Sequence, residues 1–203
     1  MQNTQKKMDS ASLSTRKNIL QCAIELIKYN GYSKVTIQQI CKAAKITKST
    51  FYYHFKSKDH LLEDFTTQIG YDVEQDFSLI LMEDTFIKQI WGILKVYFER
   101  NILVGPQITK QVFISHLNAG DQKDFPRSAY AWEMMVKLIE KAQNAKEIPN
   151  LESPDKICMA LYSATRGVCV TWSIENGDFD LITEACTIVN TILSPREGFS
   201  LTS

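Results

Sequence analysis

With 203 residues, 44% of them hydrophobic, the chain can bury a sizeable core, either in one domain or divided between a small and a larger one. Its formal net charge of zero hides a split: residues 1–70 hold 11 Lys and Arg against 5 Asp and Glu, net +6, whereas residues 71–203 hold 12 against 18, net −6. The first third therefore suits a polyanion partner, and a nucleic-acid surface over the remainder is not expected.

Residues 1–13 read as a disordered, slightly basic arm that is either solvated or placed in a minor groove. Ser14 or Thr15 is then expected to cap a first helix with Ile19, Leu20, Ala23, Ile24 and Ile27 on its apolar face, closed at Asn30-Gly31 by a left-handed cap. A second helix follows Thr36, with Ile37, Ile40, Cys41 and Ala44 at i, i+3, i+4 and i+7. After a short turn, Thr47 caps a third, on which Phe51 and Phe55 form a narrow buried stripe. On a different arc of that helix lie Lys48, Ser49, Tyr52 and Tyr53, whose hydroxyls, ammonium and aromatic rings are the groups that meet phosphates and base edges. The stretch Thr36 to Lys58 thus has the outline of a helix-turn-helix.

Ser57 caps a fourth helix with Leu61, Leu62 and Phe65 inward. Lys58 in its first turn opposes the helix dipole, which predicts a nearby anion such as a DNA phosphate. The pattern continues through Ile69, Val73 and Phe77 for roughly six turns, with Gly70 either a soft point or a tolerated interior glycine.

Beyond it every segment reads as helix. One covers Thr85 to Asn101, and another starts at Gly105-Pro106, carries Ile108, Val112, Phe113 and Leu117 and closes at Asn118 to Gly120. A third opens at Pro126 and breaks before Pro149. A fourth opens at Ser153-Pro154-Asp155 and ends at Asn176-Gly177. The last starts at Asp178 or Asp180 and stops at Pro195. The fold class is all-α: a disordered arm (1–13), a helix-turn-helix domain (14–65) and a helical C-terminal domain (66–203).

The last two helices are apolar over a wide arc interrupted by small residues. Either they are core helices of a monomer, or Ala160, Ala164, Gly167, Val168, Ala185, Ile188 and Ile192 belong to a dimer interface in which two such pairs form a four-helix bundle. A single recognition helix reads few base pairs, which favours the dimer.

Catalytic and metal chemistry find no support. No G-x-S-x-G, Walker A, G-x-G-x-x-G or H-E-x-x-H motif is present, and His54, His60 and His116 have no ligand spacing, so neither an enzyme, a metal nor a cofactor is expected. Five cysteines (Cys22, Cys41, Cys158, Cys169, Cys186) include no C-x-x-C pair and predict reduced, buried thiols in a cytoplasmic chain. The polar N-terminus and the lack of an apolar run of about 18 residues predict neither secretion nor a membrane span.

The segments RKNILQCAIELIKYNGYSKVTIQQICKAAKI and TKSTFYYHFKSKDHLL, within residues 15 to 65, resemble the DNA-binding domain of the TetR family of bacterial transcriptional regulators. That resemblance implies a homodimer, DNA reading by the third helix, and a C-terminal domain that holds a small ligand and loosens DNA binding when filled. Carried over by position, Thr36, Lys48, Thr50, Tyr52, Tyr53, His54 and Lys58 are the DNA-facing set, with Thr47 at the helix start and Gln38 a further contact. Lys48, Ser49 and Tyr53 are assigned to base edges and nearby sugar-phosphate, and Thr36, Thr50, Tyr52, His54 and Lys58 to phosphates. Two positions depart from the family: Lys45 stands at the usual turn glycine and Ser49 where glycine is frequent. Lys45 must bear a positive φ or shift the turn.

In the C-terminal domain Trp91, Tyr97, Phe98, Phe113, Tyr130, Trp132, Met135, Met159 and Tyr162 supply apolar lining with a few donors for an apolar or aromatic effector, and the acidic balance there would suit a cationic one. The expected function is a repressor released from operator DNA by such an effector. The alternative is a TetR-like DNA-binding protein controlled by a protein partner, without a small-molecule pocket.

Overall fold

In the computed structural model α1 runs Gln2–Asn30, so the helix starts at Gln2 and not at Ser14 or Thr15. The disordered arm expected over residues 1–13 is corrected accordingly. Residues 2–13 hold no proline or glycine, and the long apolar face from Ile19 to Ile27 supplies the nucleus, after which each further turn is only propagation. The structure describes residues 2–62, 64, 78–119 and 129–202; of residues 2–11, 119 and 129–131 only the backbone is described. No strand occurs among these residues. The chain divides into two compact units, Met1–Phe65 and Thr66–Ser203.

In the first unit, Ile19, Ala23, Ile24 and Ile27 of α1 are buried together with Ile40, Cys41 and Ala44 of α2 (Ile37–Ala44) and Phe51 of α3 (Lys48–His54). Gly31 ends α1 with φ 79 and ψ 149, a positive φ but not the left-handed helical cap expected, and a 3-10 turn over Tyr32–Lys34 follows. The fourth helix, α4, begins at residue 58, where the Ser57 hydroxyl accepts from the His60 N–H at 3.0 Å. Leu61 and Leu62 are buried as expected, while Phe65, Ile69, Gly70, Val73 and Phe77 lie outside the described residues.

The second unit contains α5 (Phe86–Val104), α6 (Pro106–Ala119), α7 (Ala129–Asn144), α8 (Pro154–Ile174) and α9 (Leu181–Leu193). Its core joins Ile90, Trp91, Leu94 and Phe98 of α5, Met135, Leu138 and Ile139 of α7, Leu161 and Trp172 of α8, and Ala185, Val189 and Leu193 of α9. Helix α5 continues a turn beyond the expected end at Asn101: Asn101 is buried, donates to the Tyr97 carbonyl at 2.8 Å and accepts from the Thr109 hydroxyl at 3.1 Å. Leu117 of α6 is exposed and not part of the core. The helix start expected at Pro126 and the stop at Gly120 lie outside the described residues.

A buried carboxylate joins distant parts of this unit. Glu147, just past α7, accepts from the N–H groups of Phe86 (3.1 Å) and Ile87 (2.9 Å), the first two residues of α5. The negative charge sits where the helix dipole is positive and satisfies two amides that have no partner within their own helix. Thr85 caps a third, that of Lys88. Ser153 makes no side-chain capping bond, so α8 starts on Pro154 and on the Ser153 carbonyl, which accepts from Lys156 and Ile157. Asp180, and not Asp178, caps α9 through the Thr183 N–H at 2.7 Å. By length and composition α8 is apolar enough to cross a bilayer, contrary to expectation, but its Ile157, Leu161, Val168 and Trp172 belong to the core.

Candidate nucleic-acid interface

Two short helices and one turn present the candidate surface, and each is held by side chains that the sequence places there. Thr36 forms a full capping box with Gln39: the Thr36 Oγ1 accepts from the Gln39 N–H at 3.3 Å and the Gln39 side chain accepts from the Thr36 N–H at 2.7 Å. Thr47 Oγ1 accepts from the Thr50 N–H at 3.1 Å and lies 2.7 Å from the Ser49 hydroxyl and 2.9 Å from that of Thr50. Three hydroxyls are thereby gathered at the start of α3.

The turn between α2 and α3 takes the first of the two routes open to Lys45. Its backbone is left-handed, φ 55 and ψ 44, with the Ile46 N–H donating to the Cys41 carbonyl at 3.0 Å and the Lys45 N–H to that of Lys42 at 3.3 Å. This pair of bonds is the Schellman arrangement that glycine usually serves. A lysine here bears the Cβ strain of the left-handed region, roughly 1 kcal/mol, and leaves the turn unshifted.

Helix α3 turns Phe51 and Phe55 fully inward and leaves Lys48, Ser49, Tyr52 and Tyr53 exposed. Thr36, Gln38 and Thr47 are exposed too, and Thr50 and His54 half-buried. The exposed residues of this set are thus open to solvent on α3 and at the N-terminus of α2, with Thr50 and His54 partly covered. His54 stacks edge-on to Tyr53, with ring centroids 4.9 Å apart, and its pKa is lowered first by burial and then by the nearby Arg16 cation. The imidazole is therefore neutral at pH 7, with one ring N–H to donate.

Lys58 needs no external anion to account for its place. Its Nζ donates to the carbonyls of Tyr32 (2.8 Å) and Val35 (2.9 Å) and lies 4.0 Å from the centre of the Tyr32 ring, while the Tyr32 hydroxyl bonds to Asp59. An ammonium has three N–H groups, so one at most is left for an acceptor outside. The phosphate expectation is corrected to this extent: the lysine first ties the start of α4 to the turn after α1.

Sequence reasoning missed Arg16 and Asp64. The Arg16 guanidinium bonds Asp64 through Nε (2.7 Å) and Nη2 (2.5 Å), donates from Nη1 to the His54 carbonyl (2.7 Å), and stacks on Phe55 at 4.4 Å. Partners 48 positions apart in sequence leave no periodic trace, and neither lies on a patterned apolar face.

In the second unit, Trp91, Phe98 and Met135 are buried core residues, whereas Tyr97, Phe113, Trp132, Met159 and Tyr162 are half-buried, and the side chain of Tyr130 lies outside the described residues. Trp132 stacks on Tyr162 with centroids 5.5 Å apart and donates to Asp155 at 3.2 Å. Burial raises the phenol pKa of Tyr97 and of Tyr162 and pushes the Cys158 and Cys169 thiols up to about 12, so all four are neutral donors in an apolar setting. Of the interface candidates, Ala160 and Gly167 are exposed and Ala164, Ile188 and Ile192 half-buried. Val168 and Ala185 are corrected: they are buried in the core of the unit itself. On the outer side of α9 the Thr187 and Thr191 hydroxyls donate to the carbonyls one turn back, at 3.0 and 2.8 Å, so that face has its hydroxyl protons satisfied.

Residues 19–65 match the model of the bacterial regulatory proteins of the tetR family. Over 207 aligned positions the chain is 19% identical to a probable acrEF/envCD operon repressor of Escherichia coli K12, covering 93% of this chain and 89% of that one. Among solved structures it resembles the fatty acid degradation regulator FadR of Bacillus halodurans (TM-score 0.66, 14% identity, 88% of this chain and 94% of that one). It also resembles FadR of Bacillus subtilis in complex with stearoyl-CoA (TM-score 0.60, 16% identity, 88% and 97%).

Proposed function

We propose that the chain, whose residues 19–65 match the bacterial regulatory proteins of the tetR family, is a homodimeric, cytoplasmic DNA-binding repressor and not an enzyme, released from operator DNA by a small apolar or aromatic effector. One observation carries the DNA half: α3 buries Phe51 and Phe55 and presents Lys48, Ser49, Tyr52 and Tyr53 outward from a unit of net positive charge. In this reading Lys48, Ser49 and Tyr53 meet base edges, while Thr36, Gln38, Thr47, Thr50, Tyr52 and His54 fix register on phosphates. Lys58 contributes through its one remaining N–H. The satisfied hydroxyls and small residues of α8 and α9 support pairing with a second copy, because such a face loses little on leaving water.

The effector half rests on the half-buried aromatic residues of the second unit and on the FadR that is bound to stearoyl-CoA. An effector acts only if it prefers the dimer in which the two recognition helices no longer match successive major grooves, roughly 34 Å apart. The test begins with enrichment of duplexes from a random-sequence pool by the wild-type protein, followed by titration at several salt concentrations. Lys48→Ala is expected to relax sequence preference and to flatten the salt slope by about one unit; Lys58→Ala should flatten it by less. Equal and salt-insensitive effects of the two would overturn the assigned contacts. Stearoyl-CoA and a panel of apolar aromatics are then added to the bound complex, and if no compound releases the DNA the effector half is wrong.

A further inference from the structure

Helix α3 is only 7 residues, about 10 Å of axis. Phe51 is its one fully buried side chain, with Phe55 at its end, so apolar packing alone leaves the tilt of the helix weakly determined. Its N-terminal end is located by the Thr47 cap and by the Cys41 thiol, which points to the Thr47 carbonyl at 3.8 Å. Its C-terminal end is located by something else: the carbonyl of His54, the last helical residue, accepts from Arg16 Nη1 at 2.7 Å.

The same guanidinium is committed on its other sides. Nε and Nη2 form the fork on Asp64 of α4, and Phe55 covers one face of the plane. The Arg16 and Asp64 side chains retain 32% and 18% of their exposure, so the pair is shielded enough for its geometry to matter. Three of five N–H groups lie in this arrangement, which joins α1, the end of α3 and the first turns of α4 through one planar group.

We propose that Arg16 is a positioning residue for DNA reading: held by Asp64, it sets the orientation of α3 through the His54 carbonyl without itself touching DNA. This rests on the DNA-reading role of α3 proposed above. Lysine cannot replace it, since a compact ammonium on a flexible stem does not span a carboxylate and a carbonyl at fixed angles. A misaimed α3 loses base contacts and retains most phosphate attraction, so specific and nonspecific binding part company.

The experiment uses the full chain, the duplex enriched by the wild type and an unrelated duplex of equal length, with helical content checked by circular dichroism. Arg16→Lys and Asp64→Asn are each expected to weaken binding to the enriched duplex by about tenfold, the order of one lost bidentate base contact. Binding to the unrelated duplex and the salt slope should stay near wild type. The double variant should fall no further than the weaker single, as for two residues acting through one pair, and Asp64→Glu should retain most of the affinity. A salt slope reduced by about one unit in Arg16→Lys would show a direct phosphate contact and overturn the proposal, as would wild-type affinity in folded Arg16→Lys and Asp64→Asn. If Arg16→Lys does not fold, Asp64→Asn against Asp64→Glu decides on the same readouts. A wild-type protein that enriches no sequence at all removes the DNA-reading premise itself, a different failure from variants that bind like wild type.

Discussion

The two units hold their helices by different means. In the first, the short helices α2 and α3 and the turn after α1 are fixed by polar side chains: Arg16 on the His54 carbonyl, Lys58 on those of Tyr32 and Val35, Thr36 and Gln39 on each other's amides. In the second, helices share an extensive apolar core that encloses a few bonded polar groups, among them Glu147 and the Asn101–Thr109 pair. A small unit cannot bury enough surface to fix every helix end by packing, so directional bonds do it. The larger unit has area to spare, and Glu147 adds a directional bond where α5 begins.

This contrast can be broken by mutation, and all three tryptophans, Trp91, Trp132 and Trp172, lie in the second unit, so their fluorescence reports it alone. The largest effect is expected from Phe98→Ala, which empties a fully buried site beside Trp91 and should lower the stability of the second unit by about 3–5 kcal/mol in urea unfolding. Glu147→Gln should follow with a loss of about 1–3 kcal/mol, because an amide presents one acceptor where two amides are waiting and adds donors that must find partners. A change within error would mean that the start of α5 is held by Thr85 alone. In the first unit Thr36→Ala should remove about 1 kcal/mol, seen as faster amide exchange in α2. Lys45→Gly should instead add roughly 0.5–1 kcal/mol by relieving the left-handed strain; a loss there would contradict the turn geometry.

The smallest effect concerns pH. The folded pKa of His54 lies below its ordinary value of 6.5, chiefly through burial and secondarily through Arg16. Its stabilising contribution to the first unit is therefore complete above pH 6.5 and is lost as pH falls through the depressed value. Replacing His54 by Gln should flatten the melting temperature of the first unit across that window; an unchanged profile would assign the dependence elsewhere.

Much of this was legible beforehand because it is local. The caps at Thr36, Thr47, Ser57 and Asp180 act on amides three residues away, and the Phe51 and Phe55 stripe follows from helical spacing. What escaped is nonlocal or permissive. Lys58 looked like an anion site because its acceptors, Tyr32 and Val35, come from another element, and the Arg16–Asp64 pair spans 48 positions. Residues 2–13 have a composition compatible with helix or coil, and only attachment to the buried part of α1 decides. Ala185 shows the limit of small-residue patterns, which mark close helix approach without saying whether the neighbour is the same chain or another.

The bond from Glu147 to the start of α5 also bears on how the second unit comes together. Two amides of α5 wait for a carboxylate 60 and 61 positions further along, and the Arg196 N–H in turn donates to the Glu147 carbonyl at 2.9 Å. Loops of that length close late and at an entropic cost that only concurrent core burial offsets. The first turn of α5 is thus completed only when the end of α7 arrives, and the segment after α9 is stitched to the same residue. Folding of this unit should consequently be all-or-none, with the amides of Phe86 and Ile87 exchanging only through global unfolding.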